Sequence, residues 1–248
     1  MDPQYGAYYR RLYETHWWFR MRERWVLEAI RRHVPTAGWR RILDVGCGDA
    51  LLFDQLESFG LVEGVETDQN LVSPTNPHLA QIFFGPFDQS FVPRKLYGLI
   101  LMLDVLEHLP DPQSALCRAA SLLENDGILL ITVPAYKLAW TNHDDLNHHR
   151  TRYRKATLFP LIESANLNVL ESAYWFHSVF PVKLAQRVVQ RIFRMPPENP
   201  RIPSQRLNRL LMRVCSVEHR LLTAIRMPLG TTLFVRCNKL QDKHQTVG

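Results

Sequence analysis

The chain has 248 residues, of which 46% are hydrophobic and 22% charged. These values suit a folded domain with elaborations and exclude a chain dominated by disorder. Its strongest apolar runs, residues 99–103 and 128–133, are far too short to span a bilayer, and its first residues lack the apolar segment of a signal peptide. The four cysteines show no metal-binding or redox spacing, so reduced thiols and a cytoplasmic location are expected.

Helices are predicted where apolar residues recur at helical spacing, and strands where short apolar runs lie between turn residues. In chain order, the predicted helices span residues 5–33, 50–59, 112–123, 157–165, 182–193 and 205–225, and the predicted strands span residues 41–45, 61–66, 81–84, 97–103, 128–133, 168–175 and 231–237. Strands that are apolar on both faces and alternate with helices indicate a parallel sheet covered on both sides.

The positive charge is concentrated in one segment. Residues 178–227 hold ten Arg and Lys against two Glu, a local balance of +8, whereas the whole chain carries +6. The last two predicted helices lie in this segment, and each has an apolar face and an Arg-rich face. Such helices either bind an anionic membrane surface or a phosphate, or pack on the sheet with solvated arginines. The sequence leaves both alternatives open.

The first candidate site follows the strand at residues 41–45, where residues 44–50 read D-V-G-C-G-D-A. Glycines at 46 and 48 let the backbone approach a ligand closely. A dinucleotide-binding turn would have a third glycine at the position of Leu51, and Asp44 would repel a pyrophosphate. An NAD-dependent oxidoreductase is therefore disfavoured, whereas an acid at this edge suits a cationic ligand.

Polar residues also end the second and fourth strands. Glu66 follows the glycine turn by about 20 residues, where a carboxylate can accept hydrogen bonds from both hydroxyls of a ribose. Asp104, Glu107 and His108 end the fourth strand. Because ligands bind at the carboxyl ends of parallel strands, these groups are expected to lie beside one another.

Residues 104–108, D-V-L-E-H, resemble the fourth-strand motif of class I S-adenosylmethionine (SAM)-dependent methyltransferases. Residues 44–48 are similar to the first motif of that family, and residues 123–134 to its fifth-strand motif. The resemblance implies an α/β fold with a seven-stranded, mostly parallel sheet, an antiparallel last strand and helices on both faces. It also implies an N-terminal helix and a helical insertion before the last strand.

The resemblance implies a SAM-binding core over residues 1–177 and 228–240 and a basic helical lid over residues 178–227. It also assigns roles at the matched positions. The residues expected to bind the cofactor are Asp44, Gly46 and Gly48 at the methionine part, Glu66 at the ribose, Phe87 and Asp88 at the adenine, and Asp104 near the sulfonium. The usual third glycine of the motif is Ala50 here, and Pro86 interrupts the usual sequence at the adenine.

The flanks resemble a narrower, uncharacterised subset of this family. Residues 16–19 read H-W-W-F and are followed by Arg22, which is similar to an N-terminal helix that caps the cofactor. The alternative is an amphipathic helix that packs its aromatic side chains into the core. His143, Asp144 and residues 149–153 resemble a loop that lines the acceptor side.

Transfer of a methyl group to oxygen or nitrogen requires a base, and histidine titrates near neutrality. The candidate bases are His108, His149 and His143. Asp104, Glu107 and His108 could instead hold a divalent metal, as a similar motif does in some quinone-biosynthesis methyltransferases. No fourth ligand is evident, so no metal is expected.

The expected substrate is a small-molecule or lipid-linked acceptor, with methyl transfer to O or N and less readily to C. A peripheral contact with an anionic membrane is expected through residues 178–227. Nucleic acid is not expected as a partner, because residues 104–107 are not the D/N-P-P-Y of base amino methyltransferases and the chain has no Pro-Cys pair. Protein methylation stays open, and the remaining alternative is a catalytically silent SAM-binding or interaction module.

Overall fold

The computed structural model describes residues 3–194, 196, 201–225 and 227–240. The strands in this part of the chain are β1 (Arg41–Val45), β2 (Leu61–Glu66), β3 (Ile82–Phe84), β4 (Tyr97–Leu103), β5 (Leu123–Pro134), β6 (Leu167–Trp175) and β7 (Thr232–Lys239). The α-helices described are α1 (Pro3–Thr15), α2 (Trp17–His33), α3 (Phe53–Leu56), α4 (Pro112–Leu122), α5 (Asn142–Leu146), α6 (Lys155–Ser164), α7 (Val179–Phe193) and α8 (Gln205–Ile225). None of these helices is both long and apolar enough to cross a membrane.

The strands form one sheet in the order β3-β2-β1-β4-β5-β7-β6. The neighbours from β3 to β5 are parallel, whereas β7 runs antiparallel to both β5 and β6. Strand order reverses at β1 and β4, and the carboxyl ends of β1, β2 and β4 meet at that edge, where open α/β sheets bind ligands. The predicted fold, including the antiparallel last strand, is confirmed.

The core forms two apolar layers, one on each face of the sheet. One layer packs the sheet against α4 and α6, and the other packs it against α2 and α3. Residues 97–102 of β4 are all buried, because helices cover both faces of this central strand. The near-continuous apolar sequence of the strand follows from that position.

Three predicted elements differ from the structure. The helix predicted over residues 5–33 is two helices, because the ring of His16 accepts the Trp18 N–H and caps α2. The helix predicted over residues 50–59 is reduced to turns and α3. The N-D-G turn at residues 125–127 lies inside β5, where it forms an irregularity in the pairing with β4.

Helices α7 and α8 lie between β6 and β7. Cys215 of α8 is buried, and Met212 packs against the layer that contains α2. The Glu218 carboxylate accepts the backbone N–H groups of His177 (2.5 Å) and Ser178 (2.7 Å) just before α7, which ties the two helices together. The insertion therefore rests on the side of the sheet that α2 covers.

Candidate functional site

The turn after β1 has a left-handed backbone at every second residue: φ is +70° at Gly46, +54° at Gly48 and +53° at Ala50. This conformation costs a residue other than glycine roughly 1–2 kcal/mol, so Ala50 keeps the shape of a third glycine at that cost. A Cβ on Gly46 would lie 2.9 Å from a methyl group of Val105, whereas a Cβ on Gly48 would meet no atom within 4 Å. Open space therefore lies over Gly48.

Glu66 stands directly beside this turn. Strands β1 and β2 pair in parallel register, which brings the residues after Val45 next to the end of β2. One carboxylate oxygen of Glu66 accepts the Gly48 N–H at 2.8 Å, and the other accepts the N–H groups of Thr67 (2.8 Å) and Asp68 (2.9 Å). Three donors fix the buried carboxylate at the strand tip and leave lone pairs for further donors.

Asp44 is buried near the end of β1, two residues before Gly46. Burial raises its pKa to about 7, the Arg22 guanidinium opposes that shift, and the Glu66 carboxylate adds to it. A group in this state gains strongly from a positive charge placed nearby. The pair of acids at the tips of β1 and β2 thus favours a cationic ligand.

Arg22 and Asp104 form the next part of the wall. The Arg22 Nε lies 2.7 Å from a carboxylate oxygen of Asp104, and Thr132 donates to the other oxygen at 3.1 Å. Burial would lower the pKa of Arg22, but Asp104 and neighbouring groups raise it overall, so the guanidinium stays charged. Asp104 has a left-handed φ of +56°, a strained backbone of the kind found at functional sites.

His108 and His149 meet at the ends of β4 and β5. Their rings are 4.7 Å apart and nearly perpendicular. The pKa of His108 is lowered to about 4, mainly by burial. The nearby His149 also lowers this pKa, and the smaller effect of Asp104 raises it. The His108 ring also bonds to the backbone of Asn147. His108 is therefore uncharged at neutral pH and can accept a proton.

Asp144 sets the orientation of His149. The Nδ1 of His149 lies 2.9 Å from a carboxylate oxygen of Asp144, which is fully buried. Burial alone would raise the pKa of Asp144, but hydrogen bonds from His149 and Arg152 hold it well below its usual value. Because an ionised carboxylate only accepts, His149 donates from Nδ1, and in the neutral ring Nε2 is then an acceptor.

Arg152 holds the carboxylate of Asp144 in place and does not line a binding surface. Its guanidinium donates to both oxygens of Asp144, at 2.7 and 3.0 Å, and to the Ala135 carbonyl at 3.0 Å. The sequence placed Arg152 in a loop that lines the acceptor side. The structure instead buries its side chain, because the loop needs a cation to compensate for Asp144.

Backbone contacts join the loops after β4 and β5. The Arg150 N–H donates to the Glu107 carbonyl at 2.8 Å, and its Nε donates to the His108 carbonyl at 3.2 Å. The Tyr153 hydroxyl donates to the Leu106 carbonyl at 3.1 Å. These bonds hold His108 and His149 together although the sequence separates them by about 40 residues.

Glu107 contributes a buried carboxyl to the same cluster. Neither of its side-chain oxygens has a hydrogen-bond partner among the described residues, and burial followed by the charge of Asp104 raises its pKa well above the usual value. Glu107, His108 and His149 each offer a ligand atom within 4.8 Å of the others. This donor set can hold a divalent cation, with His149 in the place that the sequence gave to Asp104.

The other flanking residues divide between two roles. His143 contacts the Asn147 amide at 3.1 Å and makes no ring contact with His108 or His149. Trp18 stacks on Phe176, with ring centroids 5.7 Å apart. The side chains of Trp17, Trp18 and Phe19 thus pack into or against the core, as the alternative interpretation predicted, whereas Arg22 reaches Asp104.

The comparison with protein families decides the identity. A family described as a methyltransferase domain matches residues 17–172, well over half of the chain. The chain belongs to this methyltransferase family. The class I resemblance is confirmed at the level of family and fold.

Curated relatives of the methyltransferase share its central part. A ubiquinone biosynthesis O-methyltransferase of Coxiella burnetii (strain Dugway 5J108-111) is 29% identical over 113 residues, 43% of this chain and 48% of the relative. A protein with the same name from Nitrosococcus oceani (strain ATCC 19707 / BCRC 17464 / JCM 30415 / NCIMB 11848 / C-107) is 33% identical over 121 residues, 41% and 46% of the two chains. The chain spans about half the length of these relatives.

Solved structures share the fold. A SAM-dependent methyltransferase from Archaeoglobus fulgidus has a TM-score of 0.57 at 15% identity and covers 94% of this chain and 100% of its own. The N-methyltransferase NodS from Bradyrhizobium japonicum WM9, in complex with S-adenosylhomocysteine (SAH), has a TM-score of 0.55 at 12% identity and covers 93% and 91%.

The strand tips of the methyltransferase fit SAM. Asp44 and Glu66 surround the place that a cation would take, and the space over Gly48 is open to a ligand that approaches the backbone. The two predicted adenine residues lie after β3. Phe87 packs near Phe91, whereas Asp88 is exposed and accepts the N–H and Oγ of Ser90, both at 2.7 Å.

The sequence missed one contact that places α1 beside the methyltransferase site. The Nε of Arg10 donates to Asp49 at 2.6 Å, and the same carboxylate accepts the Ser73 N–H at 2.7 Å and the Asn76 amide at 2.9 Å. Asp49 follows the glycine turn, so α1 is anchored over it. An acid next to the glycine motif and an arginine in an amphipathic helix were the only signals in the sequence.

Proposed function

We propose that this methyltransferase transfers the methyl group of SAM to an oxygen or nitrogen of a small-molecule or lipid-linked acceptor. The observation that carries the proposal is the pair formed by His108 and His149, which lies next to Asp104 at the strand tips. The curated relatives named as O-methyltransferases favour an oxygen acceptor over nitrogen, and carbon is the least favoured. The narrower resemblance, to members with the D-V-L-E-H motif and the H-W-W-F helix, belongs to the same proposal.

SAM supplies the methyl electrophile when it is bound, and the protein positions the reactants. Glu66 and Asp44 hold the ribose and the cationic end of the cofactor, and Asp104 closes the pocket. His149 accepts the proton of the acceptor at Nε2, because Asp144 holds the proton of its ring on Nδ1. His108, which is uncharged at neutral pH, is the second proton acceptor, and His143 lies on α5, six residues before His149.

A divalent cation is the alternative use of the histidine cluster. Glu107, His108 and His149 would hold it, and it would supply a Lewis acid for the acceptor oxygen. The two uses differ in one simple test: turnover by the base survives a chelator, whereas turnover through a cation is lost with the chelator and restored by added Mg²⁺ or Zn²⁺. Of these two uses, we propose that the histidines act as the base.

The first experiment is calorimetric titration with SAH, followed by a screen for methyl transfer over quinols, hydroxy acids and sugar lipids. We expect saturable SAH binding and turnover with at least one acceptor class. Binding without turnover over the whole screen would favour the catalytically silent module. Absence of SAH binding would overturn the proposal.

We also propose that α7 and α8 contact an anionic membrane surface. Large apolar side chains on these helices point outward: Val182 63%, Val188 55%, Ile192 67%, Phe193 71%, Leu207 47%, Leu210 56%, Val217 56%, Leu221 61% and Ile225 68% exposed. The sequence left open that these apolar faces pack on the sheet. These side chains are exposed instead, because other residues of α8 and the helix α2 already cover this face of the sheet.

The positive charge of the same helices favours an anionic surface as the partner. Arg191, Arg194, Arg206, Arg209 and Arg213 are exposed on the same two helices. Apolar side chains beside arginines match the boundary between acyl chains and anionic headgroups, where each basic residue contributes roughly 1 kcal/mol. A lipid-linked acceptor would meet the enzyme at such a surface.

Co-sedimentation with phosphatidylcholine–phosphatidylglycerol vesicles tests the contact. We expect the protein to pellet in low salt and to stay in solution in high salt or with pure phosphatidylcholine. Ile192→Ser/Phe193→Ser should lose most of the binding, whereas Leu61→Ser/Val92→Ser, which alters equally exposed residues (69% and 79%) outside the two helices, should not. No pelleting at low salt would overturn the idea, and a stable dimer without vesicle binding would assign the apolar surface to a second copy.

A further inference from the structure

Lys183 lies on the inner face of α7. Residues four and seven positions apart share a helix face, and on this face the Arg187 guanidinium donates to the Leu138 carbonyl at 2.8 Å. The Gln190 side chain accepts the Asn142 N–H at 3.1 Å. These two contacts fix the face toward the loop after β5. Lys183 is one turn nearer to the start of α7 and points the same way.

Three other segments meet around Lys183. Burial, followed by the charge of Lys183, lowers the pKa of His143 on α5 and of His16 at the start of α2, each to about 4. Burial also lowers the pKa of Lys183, Arg152 lowers it further, and Asp144 opposes both. Groups at the start of α2, on α5 and in the loop before α6 therefore lie close enough to Lys183 to interact with its charge.

The charges of this cluster do not balance. The two ionised partners Asp144 and Arg152 neutralise each other through two hydrogen bonds. His16 and His143 are uncharged at neutral pH because their pKa values are low. Lys183 has neither a hydrogen bond nor an ion pair with the residues that the structure describes. The Lys183 side chain is only partly exposed, so its charge is incompletely balanced within the cluster, and an anionic ligand would supply the missing counter-charge.

We propose that Lys183 and His16 form a subsite that binds an anionic group of the methyl acceptor, a carboxylate or a phosphate. The Nδ1 of His16 accepts the Trp18 N–H at 3.2 Å, so the proton of the neutral ring is on Nε2 and can be donated to an anion. Lys183 adds up to three N–H donors and the charge. This inference rests on the proposed methyl transfer and names the chemical class of its acceptor.

Two ligands could bring such an anion, the acceptor and the carboxylate of SAM. The acids on the cofactor side, Asp44, Glu66 and Asp104, are not among the groups that shift the pKa of Lys183, whereas Asp144 and Arg152 of the acceptor-side loop are. Lys183 also lies on the helical insertion, next to the loop that carries His149. These observations assign the subsite to the acceptor.

The test uses the full chain loaded with SAH. Benzoate and inorganic phosphate are titrated in at constant ionic strength, and the Cε1–H signals of the histidines are followed by NMR. We expect saturable binding that shifts the signals of His16 and His143, and at least tenfold weaker binding to Lys183→Met. Lys95→Met removes an exposed lysine elsewhere and should bind both anions like the wild type.

The remaining measurements separate the possible failures. Equal binding to the wild type and Lys183→Met would overturn the subsite. If Lys183→Met weakens SAH tenfold but leaves the affinity for 5′-methylthioadenosine, which lacks the amino-acid part, unchanged, Lys183 holds the cofactor and the assignment to the acceptor is wrong. Unchanged SAH affinity shows that the variant is folded and supports the assignment. If the wild type does not bind SAH, the proposed methyl transfer fails, and titration of the unloaded protein still measures the anion subsite.

Discussion

The two sides of the proposed methyl-transfer site differ in the sign of their charge. The cofactor side, at the tips of β1, β2 and β4, is lined by Asp44, Glu66 and Asp104, with Arg22 as its one buried cation among the described residues. The acceptor side, made by the loop after β5 and the start of α7, gathers histidines and Lys183. The acidic side suits the cationic sulfonium and ammonium groups of SAM, and the basic side suits an anion.

The two sides also differ in how they are built. The cofactor side comes from contiguous motifs whose side chains bond to neighbouring backbone, as Glu66 does with Gly48, Thr67 and Asp68. The acceptor side is assembled from segments far apart in sequence, and the buried carboxylate of Asp144 orients His149 and Arg152 there. Cofactor binding is therefore expected to tolerate changes on the acceptor side, and the following predictions test that separation.

The largest effect is expected from removing the oriented base. His149→Ala should lower the turnover number by about 10²–10³-fold, because general-base catalysis contributes that much, while the SAH affinity stays within about threefold. His148→Ala, a change at the exposed neighbouring histidine, is the control and should leave both unchanged. A large loss of SAH affinity in His149→Ala would show that the two sides are not separate.

Glu66→Ala should produce the next largest effect, on the other side. Charge-assisted hydrogen bonds contribute about 1.5–3 kcal/mol each, so losing both the ribose contact and the anchor of the Gly48 turn should weaken SAH by about 100-fold. Glu63→Ala lies in the same strand but contacts Arg41 and Tyr97 at its far end, and should bind SAH normally. An affinity loss below about threefold in Glu66→Ala would contradict the assignment of the ribose site.

The sequence predicted the cofactor side much better than the acceptor side. Asp44, the glycines and Glu66 lie in short motifs at strand ends, so the spacing of residues along the chain already implied their proximity. The pairing of His108 with His149 depends on hydrogen bonds such as that from Tyr153 to the Leu106 carbonyl. Contacts of this kind join distant segments and leave no periodic signal.

Local details of the fold escaped the sequence for a related reason. The helix predicted over residues 50–59 shrinks to α3, because Gly48 and Ala50 take left-handed backbone and helix cannot begin there. The sequence left open whether the apolar faces of α7 and α8 pack on the sheet, and the exposure of these side chains appears only in the three-dimensional structure. Lys183 resembled one more solvated cation of a basic segment.

The pH dependence of SAH binding gives a moderate effect that isolates Asp44. In the free protein its pKa is about 7, so the carboxylate is mostly protonated at pH 6 and mostly ionised at pH 8. The ammonium group of SAH, placed near Asp44, favours the ionised form and lowers this pKa on binding. Protons are therefore released, and the affinity should rise by about tenfold from pH 6 to pH 8.

Calorimetry in buffers of different ionisation enthalpy would measure that proton release directly. Asp44→Asn should bind SAH more weakly, with nearly the same affinity at both pH values. An affinity that falls as the pH rises, or the same slope in Asp44→Asn, would rule out Asp44 as the titrating group.

The smallest effect is expected from Arg10→Ala, which asks whether α1 belongs to the cofactor side or only covers it. Asp49 keeps the Ser73 and Asn76 donors without Arg10, and a partly exposed ion pair contributes up to about 1 kcal/mol. The melting temperature should fall by about 2–4 °C, with SAH affinity within about threefold and faster hydrogen exchange confined to α1. A tenfold loss of SAH affinity would instead make α1 a wall of the cofactor pocket, and the acidic side would then extend to Asp49 and to the tyrosines of that helix.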